Sequence, residues 1–225
     1  MSIGVKSLRF WGKNSFACIG ISAGMALIIF LMRAMGVEPA SGGGFGEAML
    51  ELLPFYPYYL SFAGLFIMLM AGIGYIQFYF PVLVSMNVTR KTVFRDFMIF
   101  FAVTALCLMI LTGLLWYLIP GELSAMGLEV LPFIFGTLLM GGAFGMIFGV
   151  INFKYGTLGV IILMAVGGIL GAFIAMSVMT DAHFRFLNGL SIGKIVWGAV
   201  AAGLLIYVFS GIFLAIQIRK LEIRA

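Results

Sequence analysis

The feature that most constrains this chain is a series of apolar stretches about 20 residues long, separated by short segments that carry most of the charge. A transmembrane α-helix needs about 20 apolar residues, whereas barrel strands are about 10 residues long and alternate in polarity. Only 9% of the residues are charged, against about 25% in a soluble domain. The pattern predicts an all-α integral membrane protein, with residues 1–225 forming one transmembrane domain. The six predicted spans are residues 16–36, 57–84, 97–119, 131–152, 157–179 and 195–217.

The basic residues divide unequally between the two sides of these spans. Residues 1–15, 85–96, 153–156 and 218–225 carry 10 of the 13 Lys and Arg. Since basic loops stay in the cytoplasm, both termini are predicted to be cytoplasmic, as an even number of spans requires. The protein is therefore predicted to lie in the cell membrane. The 10 residues are Lys6, Arg9, Lys13, Arg90, Lys91, Arg95, Lys154, Arg219, Lys220 and Arg224.

The N-terminal segment, residues 1–15, mixes apolar and basic residues. Phe10 and Trp11 are typical of a membrane interface, so we predict a short amphipathic helix on the inner leaflet before the first span. A disordered basic tail is the alternative. Residues 218–225 are predicted to form a cytoplasmic tail.

Glycines repeat every four residues in several spans, a spacing that lets helices approach closely. We expect these glycines to mediate helix packing. They are Gly141, Gly145 and Gly149, then Gly167 and Gly171, and also the pair Gly20 and Gly24.

No catalytic or metal-binding constellation is expected in this chain. Gly189–Gly193 matches the pattern G-x-S-x-G, with Ser191 at its centre, but a hydrolase elbow needs a strand and a separately placed histidine. The single histidine, His183, lies in the same short loop. An intramembrane serine hydrolase is therefore only a remote alternative.

The spans also lack ionisable residues near their middles, which argues against a transporter driven by an ion gradient. No phosphate-binding motif of the form G-x-x-x-x-G-K-[ST] occurs, so any ATP hydrolysis is expected on a separate chain.

The segment Ser85–Lys91, SMNVTRK, follows the second predicted span and begins the most basic internal loop. It resembles the S-x-G-x-x-R-K-like segment of the permease subunits of type 2 ABC exporters, which also follows the second of six spans. Asn87 stands where glycine is common in that family, a mild departure because Asn tolerates left-handed backbone angles. The amphipathic N-terminus and the polar, aromatic segment before the last span fit the same layout.

The resemblance implies a short coupling helix between spans two and three, which docks on a separate ATPase subunit. ATP and Mg²⁺ would bind that partner and not this chain, and two permease chains, identical or related, would assemble with two ATPase chains. Lys154, in the second cytoplasmic loop, would add a minor contact. The partner-facing residues are then Ser85, Asn87, Thr89, Arg90, Lys91 and Arg95.

The apolar interior, with 23 Phe and 16 Met, favours an amphipathic or hydrophobic cargo. Within the family, the chain most resembles small permeases that export antimicrobial or other amphipathic peptides, such as the phenol-soluble-modulin exporters. Lipid-like cargo fits the composition equally well. A non-transporting membrane scaffold or assembly protein, which needs no ATPase, is the alternative from a different functional class.

Overall fold

The computed structural model describes residues 3–36, 44–85, 89–119, 123–156, 158–159, 161 and 192–220. These residues are helical almost throughout, and the described part of the chain contains no β-strand. A 3₁₀ turn, Leu53–Phe55, links the helix Phe45–Leu52 to the helix Tyr56–Gly74, and a π-helical turn, Tyr75–Tyr79, links the latter to the short helix Phe80–Ser85. The α-helices are α1 (Ile3–Gly36), α2 (Phe45–Leu52), α3 (Tyr56–Gly74), α4 (Phe80–Ser85), α5 (Arg90–Leu118), α6 (Leu123–Tyr155) and α7 (Ile192–Lys220).

Five helical segments are long and apolar enough to cross a membrane. The prediction of an all-helical, multi-pass membrane protein is therefore confirmed at this level. The remaining predicted span, residues 157–179, lies almost entirely outside the described residues, as do residues 221–225 of the predicted tail. The five segments are Trp11–Gly36, Phe45–Val82, Lys91–Leu118, Val130–Tyr155 and Val196–Gln217.

The start of the chain differs from the prediction. Instead of an interfacial helix followed by a span, α1 runs without a break from Ile3 to Gly36. Trp11 and Ser15 are buried, because they pack between the helices. Aromatic packing therefore draws this end of the predicted interfacial segment into the bundle.

Helix α6 lies at the centre of the described bundle and contacts α3, α5 and α7, whereas α1 packs on α3 and α5. Glycine makes the closest of these approaches. A Cβ atom on Gly72 of α3 would lie 2.7 Å from the Cα of Gly145 of α6, and a Cβ on Gly136 would lie 2.8 Å from the carbonyl oxygen of Ala199. No larger residue fits at these crossings while the backbones stay where they are.

The glycine repeat of α6 faces α3 and the π-helical turn that follows it. A Cβ on Gly141 would meet the Leu65 side chain at 2.7 Å, and one on Gly149 would meet the Cβ of Ile76 at 2.8 Å. A Cβ on Gly145, which lies between them, would collide with the carbonyl oxygen of Leu69. Gly167 and Gly171 lie outside the described residues.

Candidate functional site

The junction between the second span and α5 is organised by a helix cap. Ser85 is the last residue of α4, and Thr89 precedes the first residue of α5. The Thr89 hydroxyl oxygen accepts a hydrogen bond from the backbone N–H of Thr92 at 3.3 Å and lies 2.8 Å from the Thr92 hydroxyl. Threonine in this role satisfies one of the free N–H groups of the first turn and fixes where the helix begins. Asn87 lies outside the described residues.

The described residues contain no separate coupling helix between the second span and α5. The cap at Thr89 starts α5 at Arg90, and the helix continues to Leu118. Residues 86–88, between α4 and this cap, lie outside the described residues. Of the residues expected on a coupling helix, Arg90, Lys91 and Arg95 lie in the first turns of α5.

These first turns have a charged side and an apolar side. Lys91 and Arg95, four residues apart and so on one face of the helix, are exposed. Val93, Phe97 and Phe100 are buried. The side chain of Arg90 lies outside the described part of the structure, although the backbone of Arg90 begins α5. The beginning of α5 thus presents basic groups outward while its other face holds the bundle.

A buried acidic residue stands directly beside the charged face. Asp96 is 8% exposed, and Nε and Nη2 of Arg95 both lie 3.4 Å from its Oδ1. The Arg95 side chain is 65% exposed, so its end of this ion pair is solvated. Asp96 belongs to the predicted loop 85–96, yet it lies within α5. The signal that could have placed it is its spacing from Val93, Phe97 and Phe100, which puts it next to the apolar face.

A cluster of aromatic rings, which no sequence pattern indicated, joins α1, the π-helical turn and α5. The ring of Trp11 lies 5.2 Å from that of Tyr75, 5.1 Å from that of Phe97 and 5.4 Å from that of Phe100. Two of these contacts are edge-to-face, the arrangement that aromatic quadrupoles favour. The Tyr75 hydroxyl also lies 3.9 Å from the Cys18 sulfur. The cluster holds the N-terminal half of α1 against the second span and α5.

A groove between α1 and α5, which we call the inner groove, opens beside this cluster. Its volume is about 200 Å³. Among the described residues, its wall is mostly apolar and includes the carboxylate of Asp96. Its lining includes Trp11, Ser15, Phe16, Asp96, Phe100 and Val103.

The other predicted residues do not join this site in the described structure. Lys154, exposed near the end of α6, holds its ammonium group 5.3 Å from the centre of the Tyr155 ring. Ser191 and His183, the pair that a hydrolase would need, lie outside the described residues. Within the part of the chain that the structure describes, no group of three or more His, Cys, Asp or Glu side chains is placed to hold a metal ion.

The chain matches no protein-family model, no curated protein and no solved structure. The likeness of Ser85–Lys91 to a family motif therefore stays a prediction.

Proposed function

We propose that this chain is the membrane-spanning permease subunit of an ATP-driven type 2 ABC exporter, which moves amphipathic or hydrophobic cargo outward. A separate subunit would bind ATP and Mg²⁺ and hydrolyse the ATP, and a second permease chain would complete the assembly. In this proposal the protein lies in the cell membrane with both termini in the cytoplasm, as its basic residues suggest.

The observation that carries the proposal is the two-sided start of α5. Lys91 and Arg95 are exposed on one face, next to the motif segment, while Val93 and Phe97 are buried on the other. Basic side chains on a helix that is anchored by its opposite face suit docking on an acidic groove of a cytoplasmic partner. Arg95 in particular has the planar guanidinium that pairs well with carboxylates.

Helix α5 also supplies a mechanical connection from that surface to the interior. Its 29 residues extend without a break from Arg90, which corresponds to about 43 Å. The aromatic cluster on its buried face ties it to Trp11 of α1 and Tyr75 of the second span. A push on the exposed start of α5 would therefore move three spans together, which is how work done by an ATPase would reach the transport path.

The test is a change of charge at the start of α5. We expect Arg90→Glu combined with Lys91→Glu to abolish co-purification of the ATPase subunit from native membranes, since both substitutions would repel acids on the partner. Mild solubilisation followed by mass spectrometry measures the ATPase that accompanies the chain. The matched control is Lys194→Glu, which reverses an exposed charge at the start of α7 and should leave complex yield unchanged.

Two results would count against the proposal. The first is the reproducible absence of any ATPase from the wild-type preparation, which would favour the membrane scaffold. The second is wild-type complex yield from the double variant, which would remove the docking surface from the first turns of α5.

A further inference from the structure

We propose that a groove between α1 and the second span binds an anionic membrane phospholipid, with the phosphate end of the lipid at Lys13 and Asn14. The groove, which we call the α1–α3 groove, has a volume of about 330 Å³ and is lined by one face of α1, the C-terminal half of α3 and the π-helical turn. It shares no lining residue with the inner groove between α1 and α5. The inference goes beyond the proposed function and does not depend on it, since it requires only that the chain lies in a membrane.

The first argument is that the polarity of the groove changes along its length. At one end α1 contributes Asn14, and one turn further the Cys18 sulfur lies 3.9 Å from the Tyr75 hydroxyl. Because α3 runs antiparallel to α1, the wall beyond this pair is formed by Ile21 of α1 and Ile67 of α3. A phospholipid has the same order of groups, a polar head followed by an apolar tail, so the groove fixes its orientation.

The second argument is the depth of the polar end. The first span begins at Trp11, and Asn14 lies three residues further on, which is about 4.5 Å along the helix axis. The head groups of lipids lie at this boundary, while their acyl chains fill the interior. The groove therefore changes from polar to apolar in the same direction as the lipid leaflet beside it.

The third argument is the positive charge at the polar end. Lys13, Ala17 and Ile21 are four residues apart and so follow one face of α1, and the latter two line the groove. Lys13 is exposed and continues this face beyond Asn14, where its long stem can reach the head groups. A basic side chain near the membrane surface attracts anionic lipids. The charge therefore favours an anionic head group over a zwitterionic one that carries the same acyl chains.

The fourth argument is a hydrogen-bond donor in the groove wall. Nδ2 of Asn14 is buried and has no hydrogen-bond partner among the described residues. A buried donor without an acceptor lowers stability. The amide can turn about its last side-chain bond, a broad two-fold torsion, and then donate to a phosphate or ester oxygen of a bound lipid. This donor selects a ligand that carries acceptors at its head.

Small residues keep both walls of the groove open. Ala17 on α1 is exposed. A Cβ on Gly74 of α3 would meet, apart from the backbone of its own helix, only Cδ2 of Phe78 at 4.0 Å. Larger side chains therefore fit at both positions while the backbones stay where they are, and they would fill the space that the lipid needs.

The experiment measures lipid binding to the full chain, purified in mild detergent without any partner. The chain is titrated with phosphatidylglycerol, or with phosphatidylcholine of the same acyl chains, and native mass spectrometry measures the fraction that carries one lipid. We expect phosphatidylglycerol to bind more tightly. Lys13→Gln and Asn14→Leu should each weaken its binding about fivefold, the factor that corresponds to one basic residue at the membrane surface or one hydrogen bond.

Two variants that fill the groove test where the lipid binds. Ala17→Phe and Gly74→Leu, on opposite walls, should each abolish the preference for phosphatidylglycerol, although neither changes a charge. They test the groove independently, so one decides the outcome if the other does not elute as a single species on size exclusion. Lys194→Gln removes an exposed charge at the start of α7. As the matched control for Lys13→Gln, it should bind as the wild type does.

The proposal is overturned if the two lipids bind the wild type equally well, or if Lys194→Gln weakens binding as much as Lys13→Gln. Binding of phosphatidylglycerol by the groove-filling variants at the wild-type level would also overturn it. Glycerol phosphate in excess separates a lipid site from a site for soluble phosphate, and displacement of the lipid by this tail-free anion would refute the lipid assignment. None of these results bears on ATPase co-purification, so the site and the exporter proposal fail separately.

Discussion

Where α6 meets α3 and α7, glycine lets the backbones touch, whereas where α1 meets α3 and α5, aromatic rings fill the space between the helices. At the first interface, an added Cβ on Gly203 would collide with the backbone of Gly136. At the second, Gly20 and Gly24 have no described neighbour within 4 Å of an added Cβ. Direct backbone contact leaves no volume for a ligand, while large side chains at intervals leave grooves between them. The chain thus combines a closely packed centre with an edge that has room for a ligand.

The largest effect should come from enlarging a residue at the glycine interface. Gly145→Ile would place its side chain against Gly72, whose Cα lies 3.0 Å from an added Cβ, and overpacking of this kind forces the helices apart. We expect loss of monodisperse protein on size exclusion. Gly20→Ile, with nothing within 4 Å, is the matched control and should behave as the wild type. Normal yield and unfolding temperature for Gly145→Ile would show that α3 and α6 are not in contact.

A smaller effect is expected at the aromatic edge. Trp11→Ala removes the ring that contacts Tyr75, Phe97 and Phe100. Such a change costs about 3–5 kcal/mol in soluble cores, and we expect about 2 kcal/mol here because lipid tails can replace part of the lost contact. Unfolding of the purified protein by denaturant in mixed micelles measures the difference.

The control for that variant is Trp197→Ala, since Trp197 is 66% exposed. It should change the free energy of unfolding far less. Equal losses from the two tryptophans would mean that α1 is not held by its ring cluster.

The smallest effect concerns a hydroxyl contact between α1 and α5. Thr104→Val removes the bond to Ser15 and should lower the free energy of unfolding by about 0.6 kcal/mol, the average for hydrogen bonds between transmembrane helices. Thr137→Val is the comparison, because the Thr137 hydroxyl donates to Ile134 of its own helix at 2.9 Å. If the Thr137 variant lost as much stability as the Thr104 variant, the contact between helices would contribute nothing.

Much of the fold was predictable because apolar run length depends on residues that are adjacent in the sequence. The contacts between spans were not, since they depend on which helices meet. The spacing of Gly20 and Gly24 looked the same as that of Gly141 and Gly145, yet only the second pair meets another helix among the described residues. Trp11 likewise looked like an interface residue, and only its packing against rings from two other helices shows why it is buried.

The candidate site was predictable only in part for the same reason. The basic cluster at Arg90, Lys91 and Arg95 stands out in a chain with so few charges, so the junction could be found from composition. The helix start at Thr89 and the burial of Asp96 depend on where a hydrogen-bonded cap forms and on which face of α5 meets α1. Polar and basic residues are common both in loops and in the first turn of a helix, so the sequence of this segment did not show where α5 begins.

The π-helical turn at Tyr75–Tyr79 has a consequence for the length of the second span. In an α-helix, adding or removing one residue rotates everything beyond it by about 100°. A π-helical turn contains one residue more than an α-helical turn, and beyond it Phe80 meets Phe153 of α6 edge-on at 6.2 Å. Loss of one residue within Tyr75–Tyr79 would restore regular α-helical bonding and still leave Phe80 facing Phe153. Loss of one residue in α3 would instead rotate the end of the second span, where the junction with α5 begins, by about 100° relative to α6. The second span can therefore vary in length at the π-helical turn while the junction keeps its orientation.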